Sequence, residues 1–572
     1  MDCNSEYARW TSQKGMPEEY ARELSGMTEN EIKEAFSAEL AFGTAGLRGI
    51  MGAGTYRMNI YTVAQTTRAI ADEINARGEA ACRRGAVVCC DCRNNSGRFA
   101  AIAAGVLVKN GVRVRLFESM RPTPELSFAV REYGCEFGIN ITASHNPKEY
   151  NGYKVYGANG AQINDEEAAA ISERRNKTDL FAQFESEDEF SREALSAAGV
   201  EFIGAETDEA FLSRVMSCAV TENAAGLAPD MKIVFTPFHG TGRVLVPEVL
   251  RRRGFSNIIC VEEQMVPDGN FPTVASPNPE DIAGFELAIR YAKKAGSDLI
   301  IGTDPDADRI GLIVRRDDGE YVNITGNQLG VLLTDYIFTA GRASGKLPKR
   351  PAVITTIVST MMARTVCEAN GGVFGEAFTG FRFISEKMDE LEAKGCTAVL
   401  CFEESYGYLS GSHARDKDAV TAAMLVAELA AYHAARGKTL AGALEELMEK
   451  YGWYSERTMN IKMPGLDGLE KMAKLMARLR SDPPKEFGGE AVGAVCDYLP
   501  GTRRYPDGRE ETLDLKKSNV LAFELADGCR VIIRPSGTEP KIKVYVLVKG
   551  GTKSEAEARL ERCAKAAEKL LG

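Results

Sequence analysis

Residues 86–117 read AVVCCDCRNNSGRFAAIAAGVLVKNGVRVRLF. The apolar run Ala86 to Cys90 has the length of a strand, a helical stretch begins near Gly97 after Ser96, and Gly111 precedes a second apolar run, Val112 to Phe117. Strand, helix, strand in that order is βαβ grammar and belongs to α/β folds. The alternation returns at Lys232 to Thr236, a helix ending before Gly254, Asn257 to Val261, a helix near Asp281 to Lys294, and Asp298 to Gly302. It appears a third time from Ala352 to Val358, through a helix ending near Gly371, to Ala398 to Phe402 and a long helix after Asp418. Three similar mixed α/β domains are therefore expected.

After Tyr451 the pattern changes. A Pro/Gly-rich interval with Pro483-Pro484 and Gly488-Gly489 precedes strands at Val520 to Leu525, Arg530 to Ile533 and Ile542 to Val548, and a charged helix from Lys553 to Leu571 follows. This predicts a smaller C-terminal α+β domain. The expected domains are 1–205, 206–322, 323–450 and 451–572, in keeping with a prior of roughly 150 residues per domain.

Charged residues make up 26% and hydrophobic ones 44% of the 572-residue chain, values that disfavour disorder and fibrous architectures. The net charge of −11 argues against nucleic-acid or anionic-membrane binding, so an anionic substrate needs a locally basic pocket. Among fourteen cysteines, Cys89, Cys90 and Cys92 cluster, yet no second Cys-x-x-Cys spacing pairs with the one at 89–92; buried reduced thiols are expected. The start Met1-Asp2-Cys3-Asn4-Ser5-Glu6 has no basic segment followed by an apolar one, and no run approaches membrane-spanning length, so cytoplasmic residence is the expectation.

The apolar run Phe137 to Ile141 ends in Thr142-Ala143-Ser144-His145-Asn146-Pro147, with Asn151-Gly152-Tyr153-Lys154 just beyond. A hydroxyl, an imidazole and an amine thus gather at a strand's carboxyl end, where open α/β sheets expose ligand sites. Taken alone, Ser144 reads as a turn serine or helix cap. Farther on, Asp304-Pro305-Asp306-Ala307-Asp308-Arg309 offers three alternating carboxylates, which in an extended segment would point to one side. Such crowding of like charge wants a divalent cation, and an EF-hand is disfavoured because no bidentate Glu stands at the twelfth loop position. Serine and carboxylates together indicate phosphoryl transfer through a phosphoserine. Near the end, Arg534-Pro535-Ser536-Gly537-Thr538-Glu539-Pro540-Lys541 supplies the donors a phosphate dianion requires. Phe42-Gly43-Thr44-Ala45-Gly46-Leu47-Arg48-Gly49 is a further Gly-rich loop with an arginine.

From about Ala41 to Lys543 the chain resembles the α-D-phosphohexomutase superfamily. FGTAGLRG, TASHNP with NGYK, PDGNFPTVASPNPE (267–280), DPDADR, FEESYG and RPSGTEPK occur in that family's order. GLRGIMGAGTYRMN (46–59) and FEESYGYLSG (402–411) are similar to its long phosphoglucomutase branch, which includes phosphopentomutases and sugar-bisphosphate synthases. The resemblance implies four domains around a central active-site cleft. It makes Ser144 the phosphorylated residue and also a metal ligand, with Asp304, Asp306 and Asp308 holding Mg²⁺ against its phosphate. Arg48, Lys154 and Arg309 would neutralise phosphoryl charge. Glu403 and Ser405 match the sugar-hydroxyl readers, Thr379 and Gly380 the loop that senses sugar orientation, and Arg534, Ser536, Gly537 and Thr538 the grip on the phosphate that is not reacting. Where the phosphomannomutase branch has a histidine, this chain has Gly407; the acid/base role moves to Lys417, with His145 assisting. A free lysine is too basic for that role, so cations crowding Lys417 are expected to lower its pKa. His239 and His433 read as structural.

The implied reaction interconverts α-D-glucose 1-phosphate and glucose 6-phosphate, with glucose 1,6-bisphosphate as intermediate and activator. Mannose or pentose phosphates as substrates, and bisphosphate synthesis, are the alternatives on the same scaffold. A serine phosphatase and a non-enzymatic phosphosugar sensor are further readings; the distal phosphate grip disfavours the first and the complete reactive loops the second. The partners expected are a small phosphosugar and at most a second copy of the chain, as monomer or homodimer.

Overall fold

A computed structural model describes residues 2–44, 46–184, 186–463, 468–536 and 541–571. In the first sheet the strands run Leu47–Ile50, Tyr150–Gly157, Phe137–Ile141, Ala86–Cys90, Val114–Phe117 and Glu201–Ile203, in that spatial order. The last four are parallel to one another, and the first two are antiparallel additions at one edge. Ala86–Cys90 reads as a continuous apolar run because both of its faces are covered. Ala86 and Val88 pack with Phe99 and Ala103 of the helix Ser96–Lys109, whereas Val87 and Cys89 pack with Leu126 and Ala129 of the helix Thr123–Glu132. The period-2 alternation of the strand thus assigns one helix to each face.

A second sheet orders Tyr321–Ile324, Ile310–Arg315, Leu299–Thr303, Ile233–Thr236 and Ile258–Cys260, with the last three parallel. Behind it, the helix Ala419–Ala434 is buried almost all round, from Ala419 to Ala431. Asp418 caps that helix by accepting from the N–H groups of Val420 (2.8 Å) and Thr421 (3.0 Å), a contact worth about 1 kcal/mol.

The chain forms two compact units, Met1–Pro351 with Gly380–Ala441 and Ala352–Thr379 with Gly442–Gly572. The third α/β segment is divided between them. Thr397–Glu403 and Gly407–Leu409 pair antiparallel in the first unit, and Pro351–Thr356 and Val373–Ala377 pair parallel at the start of the second. The second unit also carries a seven-stranded sheet in which Arg530–Pro535 lies between Lys541–Gly550 and Leu521–Glu524. Its core joins Val531, Ile533, Val544 and Val546 to Cys563 and Ala567 of the helix Lys553–Leu571. The strand Trp453–Lys462, ten residues long on the sheet edge, was not foreseen. All fourteen cysteines are unpaired. No helix among the described residues is long and apolar enough to cross a membrane.

Candidate active site

Ser144 lies one turn past the end of the strand Phe137–Ile141, buried, with a left-handed backbone (φ 51°). Such a conformation costs on the order of 1–3 kcal/mol outside glycine and persists only where neighbours enforce it. The Thr142 hydroxyl accepts from the Ser144 N–H at 2.8 Å. Arg93 does more: its fully buried guanidinium donates to the carbonyls of Ser144 (2.6 Å), Pro147 (2.9 Å), Tyr150 (3.0 Å) and Asn146. Phe271 lies 5.1 Å from its centre, and Asp91 3.4 Å from Nε. The loop is therefore clamped, and Ser144 Oγ is aimed at Asp304 Oδ2, to which it donates at 2.6 Å.

The three aspartates converge, with one oxygen from each within 4.8 Å of the others. They do so by a different route from the alternation read in the sequence. Residues 304–308 form a tight turn, in which the Ala307 N–H donates to the Asp304 carbonyl and Ala307 is left-handed (φ 49°). Asp304 Oδ1 accepts from the N–H groups of Asp308 (3.1 Å) and Arg309 (3.0 Å), which locks the turn. Asp306 Oδ2 accepts from Thr123 Oγ1 (2.8 Å) and Lys154 Nζ (2.7 Å).

All three carboxylates are buried. Burial and the charges of Asp306 and Asp308 push Asp304 well above the usual carboxylate range. Burial works the same way on Asp306, but the ammonium of Lys154 holds it well below. The remaining oxygens, Asp306 Oδ1 and Asp308 Oδ1, are buried without a hydrogen-bond partner. Orphaned hard oxygens beside a third carboxylate and a serine hydroxyl are the donor set of a divalent cation, so these residues fit Mg²⁺.

Lys417 Nζ lies 3.2 Å from Asp308 Oδ2 and 2.8 Å from Asp416 Oδ1. The crowding by cations expected from the sequence is thus reversed. Burial opposes the charge on this lysine, but Asp308 and Asp416 overcome it and lift its pKa. His145, 3.3 Å from Ser144 Oγ through Nδ1, is pushed down to about 2 by burial and by Arg309 and Arg48, so it is a neutral imidazole. Arg309 follows the aspartate turn and pairs with Glu280 at 3.3 Å. Arg48 is exposed on the edge strand Leu47–Ile50. Glu403, at the end of the strand Thr397–Glu403, accepts from the Gly380 N–H at 2.7 Å, and Ser405 is half-buried two residues on.

The first unit therefore brings together Arg48, Ser144, His145, Lys154, Asp304, Asp306, Asp308, Arg309, Gly380, Glu403, Ser405 and Lys417. Thr379, Arg534 and Ser536 belong to the second unit. There Arg534 stands opposite Lys543 on the neighbouring strand, and the Ser536 N–H donates to the Lys541 carbonyl at 2.9 Å. Gly537 and Thr538 lie outside the described residues. His239 is structural, held between the Val266 carbonyl and the Thr273 hydroxyl at 2.8 Å each.

Sequence reading missed Arg93, Thr123 and Glu280 as parts of the site. Arg93 had a detectable signal, since it follows the carboxyl end of the strand Ala86–Cys90 as Ser144 follows that of its neighbour. Thr123 had none: its role depends on Asp306, 183 residues away, and on Asn140, which donates to its hydroxyl at 2.7 Å.

Four consecutive family models, for the α/β/α domains I, II and III and the C-terminal domain of phosphoglucomutase/phosphomannomutase, match residues 39–181, 209–319, 325–451 and 459–566. The chain belongs to the phosphoglucomutase/phosphomannomutase family. It is 37% identical over 523 residues to the phosphoglucomutase of Staphylococcus aureus strain MSSA476, covering 91% of each chain, and 36% identical to that of strain N315 over the same length. Among solved structures, the fold is shared with parafusin, a phosphoglucomutase from Paramecium in its open form (TM-score 0.67, 19% identity, 93% of this chain and 95% of that one). It is shared equally with a phosphoglucomutase/phosphomannomutase family protein of Burkholderia thailandensis (TM-score 0.66, 20% identity, 93% and 97%).

Proposed function

We propose that this protein is a phosphoglucomutase that interconverts α-D-glucose 1-phosphate and glucose 6-phosphate, with Ser144 carrying the phosphoryl group between the two positions. The observation that carries the reading is Ser144 Oγ, held 2.6 Å from Asp304 by a clamped loop in a buried nest of carboxylates and cations. Full-length relatives named phosphoglucomutase support the choice of glucose.

In the cycle, the phosphorylated Ser144 oxygen transfers its group to the free hydroxyl of the bound sugar, giving glucose 1,6-bisphosphate. The bisphosphate turns around and returns the other phosphate to Ser144. Ser144, Asp304, Asp306 and Asp308 would hold Mg²⁺, which when bound supplies charge neutralisation to the transferring group. Phosphoryl transfer is otherwise a matter of alignment and electrostatics. Arg93 and the Thr142 hydroxyl fix the nucleophile, and Lys154, Arg309 and Arg48 offset phosphoryl charge. As the phosphoryl group leaves for Ser144, Lys417 gives its proton to the sugar oxygen and Ser144 Oγ passes its own to Asp304, its acceptor at 2.6 Å; in the opposite transfer the amine takes the sugar proton and Asp304 returns the other to Oγ. Glu403, Ser405, Thr379 and Gly380 read the sugar, and Arg534 and Ser536, with Gly537 and Thr538, take the distal phosphate. A monomeric or homodimeric cytoplasmic enzyme activated by the bisphosphate belongs to the same reading.

The test is kcat/KM for glucose, mannose and ribose 1-phosphates side by side at saturating Mg²⁺, with Ser144→Ala as control. Glucose 1-phosphate is expected to lead and the variant to lose turnover by several orders of magnitude. A ribose lead would overturn the sugar, and an active Ser144→Ala protein the mechanism.

A further inference from the structure

Away from the aspartate cluster, the first unit contains a cavity of about 810 Å³. It lies among the C-terminal end of the helix Thr123–Glu132, the end of the helix Ala205–Ser217, residues 346–348 after the helix Gly326–Ala343, and the strand-end segments 397–399 and 410–413. Its size is that of a site for a small organic molecule.

Its lining is basic in an acidic protein. Arg131, Arg214 and Lys346 share the wall with one carboxylate, Glu132, while Asp389 and Glu392 act on Arg131 from outside the lining, and Ser217, Ser410 and Ser412 add hydroxyls. Among the described residues, none of the three cations forms an ion pair. Arg131 and Lys346 donate to main-chain carbonyls, those of Asn159 (2.7 Å) and Ala219 (2.9 Å), and the Arg214 guanidinium has no partner among the described residues. Two guanidinium forks, an ammonium and hydroxyl donors are the set that recognises a phosphate ester. The other part of the wall is apolar, with Phe128, Ile337, Leu347, Pro348 and Val399, and it suits a flat or greasy body rather than a bare anion.

Two elements run from this cavity to the reacting groups. The helix Thr123–Glu132 has Arg131 at its cavity end, while at its start the Thr123 N–H and hydroxyl donate to the Asp306 carbonyl and carboxylate, both at 2.8 Å. At 1.5 Å per residue that is about 12 Å of rigid helix. The segment 410–418 lines the cavity with Ser410 to His413 and then delivers Lys417 to Asp308. The Arg415 N–H donates to Ser127 Oγ at 2.9 Å, which ties the two elements together.

We propose that this cavity is a regulatory site for a phosphate ester of nucleotide size, whose occupancy shifts Asp306 and Lys417 through the helix Thr123–Glu132 and the segment 410–418. AMP is the test ligand, titrated calorimetrically against the whole protein, with inorganic phosphate in parallel, and then repeated with glucose 1-phosphate present. The expected result is one AMP per chain, not displaced by glucose 1-phosphate, weakened roughly tenfold or more in the Arg214→Glu/Lys346→Glu variant, and a change in kcat when AMP is added. No saturable binding, displacement by glucose 1-phosphate, indifference to the charge reversal, or inorganic phosphate binding as tightly as AMP would each overturn the site. An unchanged kcat on saturation would overturn its regulatory role. The binding arms do not depend on turnover, so they stand or fall separately from the proposed mutase activity.

Discussion

Gly407 is a glycine because of Lys417. A Cβ at position 407 would run into Cγ and Cδ of that lysine, so a side chain at 407 and an inward-pointing Lys417 are mutually exclusive. The departure at 407 and the lysine ten residues on are thus one steric decision, which leaves position 417 as the one proposed above for proton handling. Gly407→Ala is expected to expel Lys417, which leaves Asp308 and Asp416 buried without their ammonium partner, and so to lower the unfolding midpoint as well as kcat, the latter by roughly 10²–10⁴-fold, the range for loss of a general acid–base. Undiminished turnover in that variant would contradict the assignment. Arg93 acts differently, through position alone. Arg93→Lys keeps the charge but cannot reach four carbonyls, so kcat should fall about 100-fold, the effect of a displacement near 1 Å, while KM stays close to wild type. A rise in KM with kcat intact would place Arg93 in substrate binding instead.

Among elements, the segment from His413 to the cap of the helix Ala419–Ala434 carries a pH dependence. Burial alone would lower the His413 imidazole, but its hydrogen bond to Asp418 (2.8 Å) and the neighbouring Cys218 lift it to about 9. A folded-state pKa above the unfolded value of about 6.5 means stability that is complete below pH 6.5 and lost as pH rises toward 9, on the order of 3 kcal/mol. Thermal midpoints of wild type and His413→Gln should therefore differ most at pH 6.5 and converge by pH 9.5; a constant gap would refute the pairing. How much could be read beforehand also varied by element. Ala86–Cys90 and Phe137–Ile141 announced themselves because strands covered on both faces read as near-continuous apolar runs, the second interrupted by Asn140. The helix Lys553–Leu571 was equally plain from its charged, uninterrupted pattern. Trp453–Lys462 was hidden because it is an edge strand whose side chains Glu456, Arg457, Thr458 and Asn460 meet solvent or lie half-covered, so neither a continuous run nor a clean alternation marks it. The aspartates converge as the sequence reading expected, but through a different geometry. Alternation in an extended chain and a tight turn through a left-handed Ala307 both bring 304, 306 and 308 together, and only backbone dihedrals tell them apart.

At the scale of the molecule, the site is a meeting of sequence-distant segments: Asp304 reaches Ser144 across 160 positions, and Lys417 completes the cluster from a third. Nothing local in the chain encodes that encounter, which is why only the resemblance brought the aspartates to Ser144, while Thr123 and Arg93 went unread. The cluster also links cation binding to stability. At a Mg²⁺ concentration of 100 times its dissociation constant, the folded protein should gain about 2.7 kcal/mol, seen as a rise in the unfolding midpoint that EDTA reverses and that Asp306→Asn abolishes. A midpoint indifferent to Mg²⁺ would remove the cation from the account. The shuttle itself is tested most directly by mass spectrometry of the protein after incubation with glucose 1,6-bisphosphate and Mg²⁺, before and after adding glucose 6-phosphate. One phosphoryl group is predicted on the peptide containing Ser144, discharged by the monophosphate with formation of bisphosphate. Isomerisation proceeding while Ser144 stays unmodified throughout would contradict it.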